Sequence, residues 1–133
     1  MKRSILIDVG TIRFADESLF RNLESKQFIP DGQDLSEAQL TNLGLFRGYI
    51  LGYLRGIPNL NQDASLMVRT LQPTENGLPL ELYAFYIPPT WSEFEDFQAR
   101  LFEHILSVLP EFGLKAFQRP SGRDVQVSGV LPE

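Results

Sequence analysis

Cysteine is absent from this chain of 133 residues. Disulfides, thiolate zinc sites and cysteine nucleophiles are therefore excluded. Histidine is nearly absent too, with His104 the only one. A metal centre needs several ligands converging on one point, and no His-Glu-x-x-His or clustered carboxylate set accompanies it. Long apolar runs are missing. No stretch approaches the ~20 residues needed to cross a bilayer, and the apolar run in MKRSILID at the start is too short for a signal peptide. Positive charge is in short supply, with 12 Lys and Arg against 17 Asp and Glu, a net charge of −5 and a pI near 4.9. Such a surface repels phosphates, so neither nucleic acid nor an anionic membrane is an expected partner. No glycine-rich phosphate loop and no serine in a nucleophile elbow can be found. Enzymatic turnover and a bound cofactor are accordingly not expected.

What the chain has is enough apolar material for one core. Hydrophobic residues make up 43%, including ten Phe, four Tyr and one Trp. The length suits a single domain. Residues 4–9 are a short β-rich run that residues 11–14 could extend past Gly10. Asp16 has the character of a cap for a helix reaching Leu23. Asp34 and Glu37 have capping-box spacing and predict a helix from there to Arg55, stopped by Gly56 and Pro58. Its apolar stripe is Leu43, Phe46, Ile50, Tyr53 and Leu54. Residues 64–71 and 80–87 read as strands of a hairpin around Asn76-Gly77, with Pro73 and Pro79 keeping the ladder short of the tip. Thr90 and Glu93 form a second capping box. The helix after it has a stripe of Trp91, Phe94, Phe97, Leu101, Ile105 and Val108, ended by Pro110 and Gly113. Residues 114–117 read as a last short strand.

Strand, helix, hairpin, helix, strand is the ferredoxin-like order, an α+β fold with two main helices packed on one face of an antiparallel sheet. Residues 3–120 form that domain in this reading, and residues 121–133 a polar tail. The RNA-binding variant of the fold is disfavoured. Tyr83-Ala84-Phe85 matches part of its aromatic signature, but Glu81-Leu82 stands where a basic residue and glycine belong. Asp8, unusual in a strand, is expected at a strand end, paired with a neighbouring N–H or Arg. His104 is expected to be structural or on the surface.

The long helix carries an anomaly. Gly44, Gly48 and Gly52 recur every fourth residue, continuing to Gly56. Each interior glycine costs ~1 kcal/mol relative to alanine. Such a row is expected to be covered rather than solvated, either by a segment of the same chain or by another subunit or domain.

Three segments carry a resemblance: LTNLGLFRGYILGYLR at residues 40–55, LMVRTL at 66–71 continuing through GLPLE at 77–81, and VLPEFGL at 108–114. With RSILID at 3–8 and IRF at 12–14, they resemble the final cytoplasmic domain of bacterial miniconductance mechanosensitive channels, in matching order from about Lys2 to Gln118. Gly48 and Gly52 stand where alanine is expected in that family. The resemblance implies a channel of seven subunits in a bacterial inner membrane, with pore helices and a β-rich domain upstream and this domain on the cytoplasmic side. Here it would wall a vestibule, contact other copies of itself in a heptameric ring, and touch neither membrane nor nucleic acid. Met1 would then be an added start. A free-standing ferredoxin-like regulatory module that binds a small molecule is the alternative.

The tail alternates polar and apolar residues at positions 124–127, with Val125 and Val127 on one side. In the wider small-conductance family, a comparable segment joins its counterparts in a barrel on the ring axis. One such strand has no partner within its own subunit, whereas seven can close a sheet. The amides of Val125 and Val127 are thus predicted to exchange rapidly in the monomeric chain and slowly in an assembled ring. Hydrogen exchange on both forms checks this.

Overall fold

A computed structural model describes residues 1–29, 40–87 and 90–119. The described elements are β1 (Lys2–Ile7), α1 (Glu17–Ser25), α2 (Asn42–Arg55), β2 (Met67–Thr70), β3 (Leu78–Tyr83) and α3 (Trp91–Val108), with 3₁₀ turns at Val9–Thr11 and Leu109–Phe112. The fold is α+β, with a three-stranded antiparallel sheet of order β1-β3-β2 and three helices. Residues 120–133, including Val125 and Val127, lie outside the described residues, as do Asp34 and Glu37.

Pairing register places Ile5 opposite Leu80, and Leu82 opposite Val68. Directly paired residues share a sheet face, so these four form one apolar surface. They belong to a single buried cluster with Phe46, Ile50 and Leu54 of α2 and Leu101 and Ile105 of α3. Phe112, fully buried, packs on Phe46 with ring centroids 5.2 Å apart. Glu81 points to the other face, where its side chain is only 5% exposed. Arg69, directly opposite on β2, reaches its Oε1 from Nη2 at 2.8 Å and from Nε at 2.9 Å. A carboxylate this buried needs such a partner.

Proline at position 79 sits inside the central strand, contrary to the expectation that it lies beyond the ladder. On the β1 side the pairing continues past it to Leu78. On the β2 side Leu71 N donates to Pro79 O at 3.0 Å, but the reciprocal bond has no donor. The β2 ladder ends there, so proline shortens one side of the hairpin only. At the tip, Thr74 and Gly77 exchange backbone hydrogen bonds. Gly77 alone in the tip has a positive φ, 101°, and a Cβ there would lie 2.7 Å from Ile7 O. This position requires glycine.

Several expected boundaries are corrected. The first strand closes at Ile7, because Asp8 caps a 3₁₀ turn by accepting from Gly10 N at 3.0 Å. This is the strand-end role expected of Asp8. Residues 11–14 do not extend the strand. Instead Arg13 O accepts from Asn42 N and Leu40 O accepts from Ala15 N, with one bridge between Phe14 and Thr41. That pairing holds Thr41 extended, so α2 begins at Asn42 and cannot run unbroken from Asp34. Its cap is Thr41, whose Oγ1 accepts from Gly44 N at 2.9 Å. The expected caps Asp16 and Thr90 both serve, accepting from Leu19 N and Glu93 N.

Strand β3 stops at Tyr83 rather than residue 87. Beyond it Phe85 O accepts from Asn61 N and Asn59 O accepts from Ile87 N, both at 2.7 Å. The expected last strand at 114–117 reduces to one bridge, Ile7 with Ala116, on the outer edge of β1. Two bonds flank it, Asp8 N to Lys115 O and Phe117 N to Leu6 O, each 2.8 Å. On α3 the expected stripe holds from Leu101 to Val108, but Trp91 is 75% exposed and Phe94 only partly buried.

Asn42 joins three of these segments. Its side chain is fully buried. Oδ1 accepts from Arg13 N at 3.0 Å, while Nδ2 donates to Thr11 O and to Phe112 O, each at 3.0 Å. Substituting Asn42→Ala strands one N–H and two carbonyls, at ~1–3 kcal/mol for each group left dry. Some of them can reach water, so a loss of about 3 kcal/mol is expected, seen as a lower urea midpoint with an unchanged slope. Asn42→Asp is expected to be as damaging, since it sets a carboxylate oxygen against two carbonyls.

Candidate functional site

Helix α2 buries Leu43, Leu45, Phe46, Ile50 and Leu54. The stripe read from sequence is therefore present, except that Tyr53 lies at its exposed edge and Leu45 is buried as well. The glycines occupy the remaining face. Gly44 is half-buried, and a Cβ there would meet Thr41 Oγ1 at 3.1 Å. Gly48 and Gly52 are exposed, and a Cβ on either would meet nothing within 4 Å. No described residue packs on Gly48 or Gly52, so the cover expected for this row is not supplied by the described residues. They line a groove of 900 Å³ whose other walls include Phe28, Ile29, Leu40 and Tyr49.

The groove is apolar because the chain turns back beside α2 after α1. Gln27 takes a positive φ of 63°, and Phe28 N donates to Leu23 O at 2.9 Å. This ends α1 and directs Phe28 onto Tyr49, edge to face at 5.5 Å. Lys26 ties the same corner to Glu111 at 2.8 Å. A glycine floor with aromatic walls can admit a close apolar contact from outside the described residues. Its described lining carries no carboxylate, histidine, serine or lysine.

His104 of α3 is packed against α2. Its ring stacks on Tyr53 with centroids 4.4 Å apart, and Nε2 lies 2.6 Å from the Tyr49 hydroxyl. The histidine thus joins the two long helices through its ring. Sequence reasoning did not find its partners, although Tyr49 and Tyr53 lie four apart and so share a helix face. Glu103, its neighbour in sequence, is exposed. Among the described residues no group of three His, Asp or Glu is placed to hold a metal ion, and no helix is long and apolar enough to cross a membrane.

Burial raises the pKa of the Tyr49 hydroxyl above its ordinary value, and the neighbouring Tyr53 adds to this. The folded chain therefore keeps the Tyr49 proton longer than the unfolded chain. The stabilisation is full below the unfolded value, about 10, and is lost as pH rises through the higher folded value. Urea midpoints measured from about pH 8 to about pH 11 are expected to fall at the alkaline end, and Tyr49→Phe is expected to flatten that fall.

Compared with models of known protein families, the chain matches none.

Proposed function

We propose that this chain is the vestibule domain of a small-conductance-type mechanosensitive channel, ferredoxin-like in fold and assembled with copies of itself. Three features support the fold part of this reading. The sheet order is β1-β3-β2 and every pairing is antiparallel. The hairpin joins β2 to β3, and Ala116 bridges the outer edge of β1 where a fourth strand belongs in that fold. The main departure is the brevity of that last segment.

The observation that carries the functional part is the face of α2. The run at residues 40–55 bears the fullest sequence resemblance to the channel family. In the fold this run buries one side only and leaves Gly48 and Gly52 uncovered by any described residue. Interior glycines cost helix stability, and that cost is offset if a second backbone packs closely against them. A neighbouring subunit supplies such a backbone. Within the channel the domain itself neither senses tension nor conducts. It lines the compartment below the pore, and its acidic surface, −5 per copy, influences which ions gather there.

The test is Gly48→Leu in the intact gene product. With open space at the Cβ, the folded monomer should keep its melting temperature or gain slightly from the better helix former. Assembly should fail, read by native mass spectrometry, and tension-gated currents in membrane patches should be lost with it. A gene product without membrane-spanning segments, or a Gly48→Leu variant that assembles and conducts normally, would overturn the proposal.

A further inference from the structure

A second cavity, which shares Tyr53 with the glycine groove, lies between the C-terminal end of α2 and the N-terminal half of α3. It encloses 390 Å³, within the ~300–1,000 Å³ range of small-ligand clefts. Leu101 forms its floor. Tyr86 and Phe97 form one aromatic wall, stacked at 4.9 Å with planes 27° apart. Tyr53 and Ile57 stand opposite. The wall carrying Tyr86 is fixed by its backbone. Leu60 and Tyr86 form an antiparallel bridge, and the flanking bonds from Asn61 N and Ile87 N are both 2.7 Å long. Tyr53 is held by its stack on His104. The cleft is therefore formed before any ligand arrives.

Charge at the mouth is uneven. Arg100 pairs with Asp96 at 3.0 Å, which leaves no net charge on that pair. Glu93 also lines the cleft, and its carboxylate has no hydrogen bond or ion pair among the described residues. An unpaired carboxylate beside three aromatic rings suits a positive charge joined to an apolar body, since aromatic faces attract cations and apolar surface prefers to leave water. With Glu93 and Asp96 against Arg100, the cleft mouth carries one net negative charge, which disfavours an anion.

We propose that this cleft binds a small organic cation, an ammonium or guanidinium attached to an aromatic or aliphatic group. The apolar body rests on Tyr86, Phe97 and Leu101, and the charge sits beside Glu93, one helical turn from Phe97. The positive end of the α3 dipole partly offsets Glu93, so binding is weak, about millimolar. The site does not depend on the channel reading, because it uses neither the glycine face nor a second copy.

The experiment is an NMR titration of the full chain with phenethylammonium, and in parallel with phenylacetate, which has the same ring and the opposite charge. Amide shifts of Tyr86, Glu93 and Phe97 should saturate with phenethylammonium and respond far less to phenylacetate. Glu93 is exposed, so Glu93→Gln should leave the fold intact, and it should weaken phenethylammonium about tenfold. Glu75→Gln, a carboxylate change on the hairpin tip, should leave the affinity unchanged. The proposal is overturned by equal affinity for phenylacetate, by no saturation at millimolar phenethylammonium, or by equal effects of the two substitutions.

Discussion

One buried amide decides how the two halves of this chain meet. The side chain of Asn42 bonds to the 3₁₀ turn after β1, to the strand-like residue Arg13, and to the carbonyl of Phe112, which closes the 3₁₀ turn after α3. These three places lie 31, 29 and 70 residues from Asn42 along the chain. Apolar packing alone would bring them near one another without fixing their relative height, because hydrophobic attraction has no direction. The amide has direction. It also forces α2 to start where it does, since the backbone of Asn42 is engaged by Arg13 before the helix opens. The entry angle of α2 then sets which of its faces looks at the sheet and which looks out over the glycine groove.

The sheet has its own fixed point. Its middle strand carries leucines on the core face, and on the other face an acid neutralised by a cross-strand arginine. Pro79, two residues before that acid, ends hydrogen bonding toward β2 while leaving β1 paired. The sheet is consequently deeper on the β1 side. Its outer margin there receives the short segment after α3, which satisfies two backbone groups that would otherwise form an open edge. Local chemistry at Pro79 and the polarity of Glu81 thus shape the sheet as much as the apolar pattern does.

The sequence made legible whatever depends on short-range periodicity and caps. Asp16 and Thr90 cap their helices as expected, the hairpin turns at Gly77, and Leu101, Ile105 and Val108 face inward. It misled wherever a distant segment competes with a local preference. The capping-box spacing at Asp34 suggested one long helix, but backbone pairing of Arg13 and Ala15 with Asn42 and Leu40 holds Thr41 extended. Residues 85–87 look like a continuing strand by composition, yet pair with residues 59–61, whose Asn and Leu give no strand signal. Of the functional faces, the glycine row was visible as a pattern, while its openness at Gly48 and Gly52 depends on which residues come near. The stack of Tyr53 on His104 joins residues 51 apart on two helices, and no local pattern encodes it.

The exposure of Trp91 at the start of α3 gives the molecule an optical property. It places the only indole of the chain in water, in loose contact with Phe94 at 6.4 Å and apart from the buried cluster. Tryptophan emission from this protein is therefore that of a solvated ring even when the core is fully packed. The signal is blind to most of the interior and sensitive to whatever approaches the start of α3. A natural reporter thus stands at the start of α3, and its colour records contact with other molecules better than it records folding.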